Sequence, residues 1–397
     1  MVTDNLTPKH AEDEDFDEQE GGSDLELEIN KFQNLLVAPS DWTVGSLAGL
    51  IGTTIELDPD FQRRDVWTEV ARSKFIESII LNIPIPQILL AARKNERNKF
   101  IVIDGKQRLL TIRYFLDGKH GSGRIFRLRG MRVLRELEGR SWEDIKDDEK
   151  YSKEFLNQTI RTVVMRGWTE EDVLFEIFSR LNSGSVKLSP MELRMSLHPG
   201  DFLRYIIRWT EETRNIQKAM HLSRPDKRMG DVELAIRFLA FKREVMTYRG
   251  DLKDYLDRFC EIANLHFSDE KFKEGIEDDL ALMEKGISVI MEIFGENSFR
   301  KWKNGVYEPR FNRAIFDIMS ISSANGAIRD WMLKNSDAVE SAFKEICEED
   351  SEFLTSLETT TKSISAVNKR FLTWQSKIEK LSGMAFKYSE VSRGHTN

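Results

Sequence analysis

The spacing of apolar positions changes character along the chain and divides it into regions of different architecture. From about residue 40 the pattern is mixed. Asp41-Trp42-Thr43-Val44-Gly45-Ser46-Leu47 reads as a turn entering a short helix, followed by an extended Thr54–Leu57 and a break at Asp58-Pro59-Asp60. Ala71–Leu81 places Phe75, Ile76, Ile79 and Ile80 at helical spacing. Pro84 and Pro86 end that helix, and Gln87–Ala92 reads as a strand. Phe100–Ile103 is a second buried strand. Lys106–Leu116 is a helix burying Leu109, Ile112, Phe115 and Leu116, and Ile125–Leu128 and Thr159–Met165 are two more extended runs.

Helix signals then take over. Thr169-Glu170-Glu171-Asp172 is a capping pattern opening a helix that buries Val173, Leu174, Ile177, Phe178 and Leu181 and stops at Asn182-Ser183-Gly184. Ser189-Pro190-Met191-Glu192 combines an N-cap serine, proline at the first helical position and glutamate at the third. From there to about Leu381 long amphipathic segments with few prolines indicate an all-helical region. The predicted fold class is therefore α+β, with an α/β domain over residues 31–197 followed by an all-helical domain over 198–385. Residues 1–30 and 386–397 are expected to be flexible tails.

Charge alters the picture. The formal net charge is -8, but the first thirty residues hold eleven acids against the single base Lys9. Residues 61–140 show the reverse bias, with 18 Lys+Arg and 8 Asp+Glu. A nearly neutral body thus carries a basic region and an acidic tail, and overall acidity does not exclude a polyanionic partner. The tail is either a solubiliser or a segment that folds back on the basic region. Cys260 and Cys347 cannot build a disulfide framework or a cysteine zinc site. The most apolar stretches are short and interrupted by charge, and no secretory signal is seen, so a reduced cytoplasmic location without a membrane is expected.

Three elements could carry chemistry. Ile101-Val102-Ile103-Asp104-Gly105-Lys106-Gln107-Arg108-Leu109 reads as strand, tight turn and helix. Gly105 permits an unusual backbone angle, and Lys106, Gln107 and Arg108 sit at a helix N-terminus, an end suited to phosphate. Asp104 is placed to hold a metal ion or orient water, although the same run is also an ordinary Asp-Gly turn. The second element is Asp58-Pro59-Asp60-Phe61-Gln62-Arg63-Arg64-Asp65-Val66-Trp67, where Arg63 either clamps phosphate or pairs with Asp58 or Asp65. The third is Phe178-Ser179-Arg180-Leu181-Asn182-Ser183-Gly184. Asn182 either caps a helix or points into a site, and Arg180 either acts there or pairs with a neighbouring acid.

These runs occur in a fixed order, together with Pro84-Ile85-Pro86, Leu110-Thr111, Leu188-Ser189 and Glu192-Leu193-Arg194. The order resembles the N-terminal domain family of GmrSD-type modification-dependent restriction endonucleases, over about residues 40–197. Thr359-Thr360-Thr361 followed by Arg370-Phe371 and Trp374 extends the likeness less specifically. The resemblance implies a ParB/sulfiredoxin-like fold and a role in bacterial antiviral defence. It also implies binding and hydrolysis of a nucleoside triphosphate (GTP favoured) with Mg2+, regulating DNA cleavage. Carried over by position, Asp104, Gln107 and Arg108 become catalytic candidates, and Gln62, Arg63, Gly105, Lys106, Gln107, Arg108 and Asn182 nucleotide-binding ones. Asp104 is the metal candidate. Lys106 departs from the glutamine commoner in the family.

Many relatives also carry a His-dependent HNH-type nuclease domain. Here His10, His120, His198, His221, His266 and His395 are too scattered for one. DNA cutting is then expected from the N-terminal site or from a partner nuclease subunit, with DNA, modified or not, as the target and homo-oligomers left open. The alternative is a ParB-like DNA-binding module without catalysis, using Arg124, Arg127, Arg129 and Arg132, with Arg135 continuing their spacing. A third class is a metal-dependent nuclease built on Asp104 with Asp58 and Asp60.

Overall fold

Runs of four or five apolar residues form two adjacent strands of a four-stranded sheet, because both of its faces are covered. The computed structural model describes residues 32–57, 67–94, 96–120, 123–168, 173–174, 176–177, 180, 189–212, 214–244, 247–358 and 363–386. They fall into two compact units that part between Leu197 and His198. In the first, strands β1 (Leu36–Thr43), β2 (Ile88–Ala92), β3 (Phe100–Asp104) and β4 (Thr159–Arg166) lie in the order β1-β4-β2-β3. β4 is antiparallel to β1 and parallel to β2, and β2 is antiparallel to β3.

Among the described residues, helices α1 (Val44–Leu50), α2 (Glu69–Ile80), α3 (Lys106–Asp117), α4 (Glu149–Asn157) and α5 (Pro190–Leu197) also belong to this unit. Alternate strand residues serve opposite faces. Leu90, Val102 and Val164 join Ile76, Leu109, Phe115 and Phe155 in one cluster, while Leu89, Ile101, Ile103 and Met165 pack with Trp168, Leu193 and Leu197 in the other. Burial on both sides is why β2 and β3 are apolar without alternation.

Three expectations change. β1 was not expected before Asp41, since Leu36-Val37-Ala38-Pro39 is exposed and contains a proline. Such a strand belongs at an edge, where a missing N–H costs no ladder bond. Thr54–Leu57 contributes only bridges from Ile55 to Ile51 and Phe100. Ile125–Leu128 is not a strand either. Phe126 and Leu128 point inward, but the backbone bonds go to loop carbonyls, Phe126 N–H to Gly118 and Leu128 N–H to Arg140. The readings of residues 1–30, of Asp58–Val66, of Thr169–Asp172, of Leu181–Leu188, of Thr359–Thr361 and of the last residues lie outside the described residues.

The second unit is helical, as expected, with one addition. Its helices are α6 (Asp201–Trp209), α7 (Asn215–Ala219), α8 (Gly230–Glu244), α9 (Leu252–His266), α10 (Glu270–Phe294), α11 (Arg313–Ala324), α12 (Gly326–Lys334), α13 (Ser336–Glu349), α14 (Ser351–Glu358) and α15 (Ile364–Ser382). The addition is the hairpin of β5 (Arg300–Lys303) and β6 (Val306–Phe311). Its two-residue turn is Asn304-Gly305, both at positive φ, the conformation that a tight hairpin demands. At Gly286 in α10 a Cβ would lie 2.5 Å from Ser323 Oγ of α11, so a side chain there would push the helices apart.

A buried ionic network ties α8, α11 and α15. Arg237 grips Asp317 with Nε at 3.1 Å and Nη2 at 2.6 Å, and Arg370 reaches the same carboxylate at 3.4 Å. Arg313 pairs with Glu233 at 2.9 Å. Burial pulls the Arg370 pKa down to about 10 against the pull of Asp317. Removing one member of such a network leaves uncompensated buried charge. Asp317→Asn is therefore expected to destabilise the second unit by about 3–5 kcal/mol, read as a lower urea midpoint with an unchanged denaturant slope.

Candidate functional site

The strand–turn–helix predicted around Asp104 is present, and its geometry follows from one backbone angle. β3 ends at Asp104, Gly105 adopts φ 95°, and α3 begins at Lys106. A Cβ on Gly105 would meet Ile88 Cγ1 at 2.9 Å, so the position needs glycine for space as well as for angle. Asp104 Oδ1 accepts from the Gly105 N–H at 2.6 Å. Its Oδ2 accepts from Arg108 Nη2 at 2.7 Å. The other Arg108 nitrogen, Nη1, donates to the carbonyls of Pro86 at 2.7 Å and Gln87 at 3.1 Å. One arginine thus ties the turn to the segment that follows Pro84.

Lys106 turns the other way. Its Nζ lies 3.0 Å from Glu192 Oε1, with both side chains buried. Glu192 also completes the predicted capping box of α5: its Oε2 accepts from the Ser189 N–H at 2.8 Å, and its own N–H donates to Ser189 Oγ at 3.1 Å. Gln107, half-buried, accepts from Arg72 Nη2 of α2 at 3.4 Å. Arg72 stacks 4.9 Å over the Tyr114 ring, and burial draws its pKa down to about 10.

Of the predicted site residues, Asp104, Gly105, Lys106, Gln107 and Arg108 share the turn; Asp104 and Arg108 meet, while Lys106 and Gln107 are directed to Glu192 and Arg72. Lys106 and Arg108 meet partners within the chain, while the first N–H groups of α3 have no side-chain cap and no acid in the first turn. Asp104 is partly exposed and is the carboxylate of the turn; no group of three metal-ligating side chains occurs among the described residues. Gln62, Arg63 and Asn182 lie outside the described residues. Arg180 makes an ion pair with Glu176, the neighbouring acid that the second of its two readings required.

The arginines from Arg124 to Arg135 form a separate feature. Arg124, Arg127, Arg129, Arg132 and Arg135 are all exposed, while Phe126, Leu128 and Met131 between them are buried. Two residues that sequence reasoning passed over shape this segment. Ser73 Oγ accepts from the Arg129 N–H at 2.8 Å. Glu77 Oε1 accepts from the N–H groups of Arg132, Val133 and Leu134 at 3.0, 2.8 and 2.9 Å. A glutamate among Phe75, Ile76, Ile79 and Ile80 on the buried face of α2 was the available signal, because a buried carboxylate must find donors. Burial opposes its ionisation, but the donors Leu134, Val133 and Arg132 outweigh it and hold the carboxyl below its usual range.

Residues 47–199 match the family model described as GmrSD restriction endonuclease, N-terminal domain, in agreement with the resemblance carried by the motifs. Neither a curated protein nor a solved structure matches the chain.

Two outcomes follow from this geometry. Gly105→Ala is expected to cost about 1–3 kcal/mol from the forced left-handed backbone, seen as a lower melting temperature. Because the Glu77 carboxyl is depressed in the folded state, the stability it contributes is complete above its ordinary value of 4.5 and is lost as pH falls below it. Glu77→Gln should therefore flatten the acid limb of a stability–pH profile; an unchanged limb would show that other carboxylates set it.

Proposed function

We propose, from the premise that residues 47–199 form a GmrSD N-terminal-type domain, that this chain is a nucleotide-regulated component of a restriction system acting on foreign DNA. The defence role is what the family match supports. The nucleotide assignment is carried by one observation, the N-terminus of α3. Thr43, Thr68, Asp148, Asp251 and Asp269 each cap their own helices through a side-chain oxygen. α3 follows Gly105 and, like α6 and α13, has no such cap, but it alone of these three follows the Asp104–Gly105 turn. Its first N–H groups and the positive end of the helix dipole favour an anion of the size of a phosphate.

Asp104 beside that end repels a bare phosphate and welcomes a magnesium-bound one. Magnesium commonly takes one or two carboxylates and completes its shell with phosphate oxygens and water, so a single aspartate suits an ion delivered with the nucleotide. Asp104 would hold such an ion, which would supply neutralising positive charge at the phosphates. Arg108 shapes the turn through its bonds to Asp104, Pro86 and Gln87, and Gln107 supplies a polar side chain at the same end. GTP is the favoured nucleotide, and its binding or hydrolysis gates DNA cleavage by a partner nuclease. A single carboxylate in the turn favours this reading over direct phosphodiester cleavage, for which a cluster of ligands is usual.

The test is a panel of nucleoside triphosphates with magnesium, reading binding and phosphate release. Asp104→Asn is expected to lower magnesium-dependent hydrolysis about 10²-fold, the usual scale for losing one charge-stabilising group. Arg108→Ala is expected to abolish it by releasing the turn. Equal phosphate release from wild type and both variants would sink the assignment.

A further inference from the structure

We infer that the segment from Arg124 to Arg135 is a preformed docking surface for the phosphate backbone of duplex DNA, held in shape by the buried Glu77 of α2. The choice of DNA as the polyanion rests on the restriction reading above; the surface itself is independent of nucleotide binding.

The segment has no regular secondary structure over most of its length, yet its backbone is fastened at successive points. Besides the bonds to Ser73 and Glu77, the Met131 N–H donates to Glu138 Oε2 at 2.9 Å. Leu128 is bonded in both directions to the 139–140 turn, donating to Arg140 O and accepting from the Gly139 N–H, each at 2.8 Å. Phe126, Leu128 and Met131 are buried, so the intervening arginines are turned to solvent. A polar loop without such anchors would have to be ordered on binding, at a cost that a fastened backbone has already met.

The surrounding acids already have partners, several of them in the segment itself. Glu77 is enclosed by backbone amides, with Arg132 adding its attraction. Glu138 faces Met131, and Glu136 accepts from the Tyr151 hydroxyl at 2.7 Å. Asp144 accepts from both the backbone and hydroxyl of Ser141 at 2.8 Å and lies 3.5 Å from Arg127. Among the described residues, the guanidinium groups of Arg129 and Arg135 make no hydrogen bond or ion pair. Ile125 and Val133, 56% and 63% exposed, lie between the cations. Guanidinium groups repeated along one fastened segment match a repeating phosphodiester better than a single carboxylate, and contacts of this kind position a protein on DNA without reading sequence.

The experiment measures binding of the full chain to a fluorescent 20-base-pair duplex over a series of salt concentrations, without nucleotide. The exposed triple variant Arg129→Ala/Arg132→Ala/Arg135→Ala is expected to weaken binding at least tenfold. It should also make the slope of log affinity against log salt shallower by about 0.9 for each phosphate that is no longer neutralised. Glu77→Gln, which keeps every arginine, is expected to weaken binding by loosening their spacing. Since Glu77 is buried, circular dichroism must show that variant folded before it counts, and the triple variant decides if it is not. Wild-type affinity and slope in the triple variant overturn the proposal, as does no binding of duplex DNA by the wild type. Tighter binding to single-stranded RNA than to the duplex also overturns it. Magnesium–GTP binding by the same samples reports separately on the Asp104–Gly105 turn, so the two readings can fail independently.

Discussion

A left-handed residue at the exit of β3, the last strand of the sheet order, is the constraint on which the N-terminal unit turns. β3 is buried on both faces, so α3 must leave its end by a route the packed sheet allows. That route requires φ 95° at residue 105 and no side chain there, since Ile88 stands 2.9 Å from where a Cβ would be. Once the backbone takes this path, Asp104, Lys106, Gln107 and Arg108 leave it in different directions. Asp104 and Arg108 pair within the turn, Arg108 also reaches the segment after Pro84, Lys106 reaches α5 and Gln107 reaches α2. The turn is thereby joined to most of the unit around it.

Buried carboxylates organise both units in the same way. Glu192 closes the cap of α5 and receives Lys106; Glu77 gathers three backbone N–H groups; Asp317 receives Arg237 and Arg370. An ionised carboxylate is expensive to bury unless its lone pairs are filled. Each of these three is filled from a distant part of the chain, and each therefore specifies how elements far apart in sequence meet. α2 shows the consequence most clearly. Its Arg72 reaches the Asp104–Arg108 turn through Gln107, while the next residue, Ser73, and Glu77 beyond it hold the arginine segment.

Much of the fold was legible because its signals are local. The helix read over Ala71–Leu81 is Glu69–Ile80, the helix from Lys106 runs to Asp117, and Thr159–Met165 extends one residue to Arg166. In each, apolar spacing and the burial pattern coincide. The capping box at Ser189 and Glu192 was legible for the same reason, as a bond within four residues. β1 was missed because an exposed edge strand carries little apolar alternation. Ile125–Leu128 was misread because alternation marks a segment with one buried side, and that side can be satisfied without a sheet. The hairpin at Asn304-Gly305 had a turn signal in plain view, but long helical patterns on either side masked it.

The sequence by itself determined most of the helices and the buried strands, the division near residue 197, the glycine turn with its candidate site, and the placing of opposite charge on tail and basic region. These depend on neighbours within a few residues: period, caps, turn chemistry and charge density. Only the tertiary structure decided what the charged side chains do. Lys106 looked like a phosphate ligand until Glu192, eighty-six positions away, met it in the interior. Glu77 is one of several polar residues of α2 in the sequence, and only the fold shows the backbone of Arg132–Leu134 closed over it. A charge declares its sign in the sequence, but its role is set by whichever partner the folded chain brings within three ångströms.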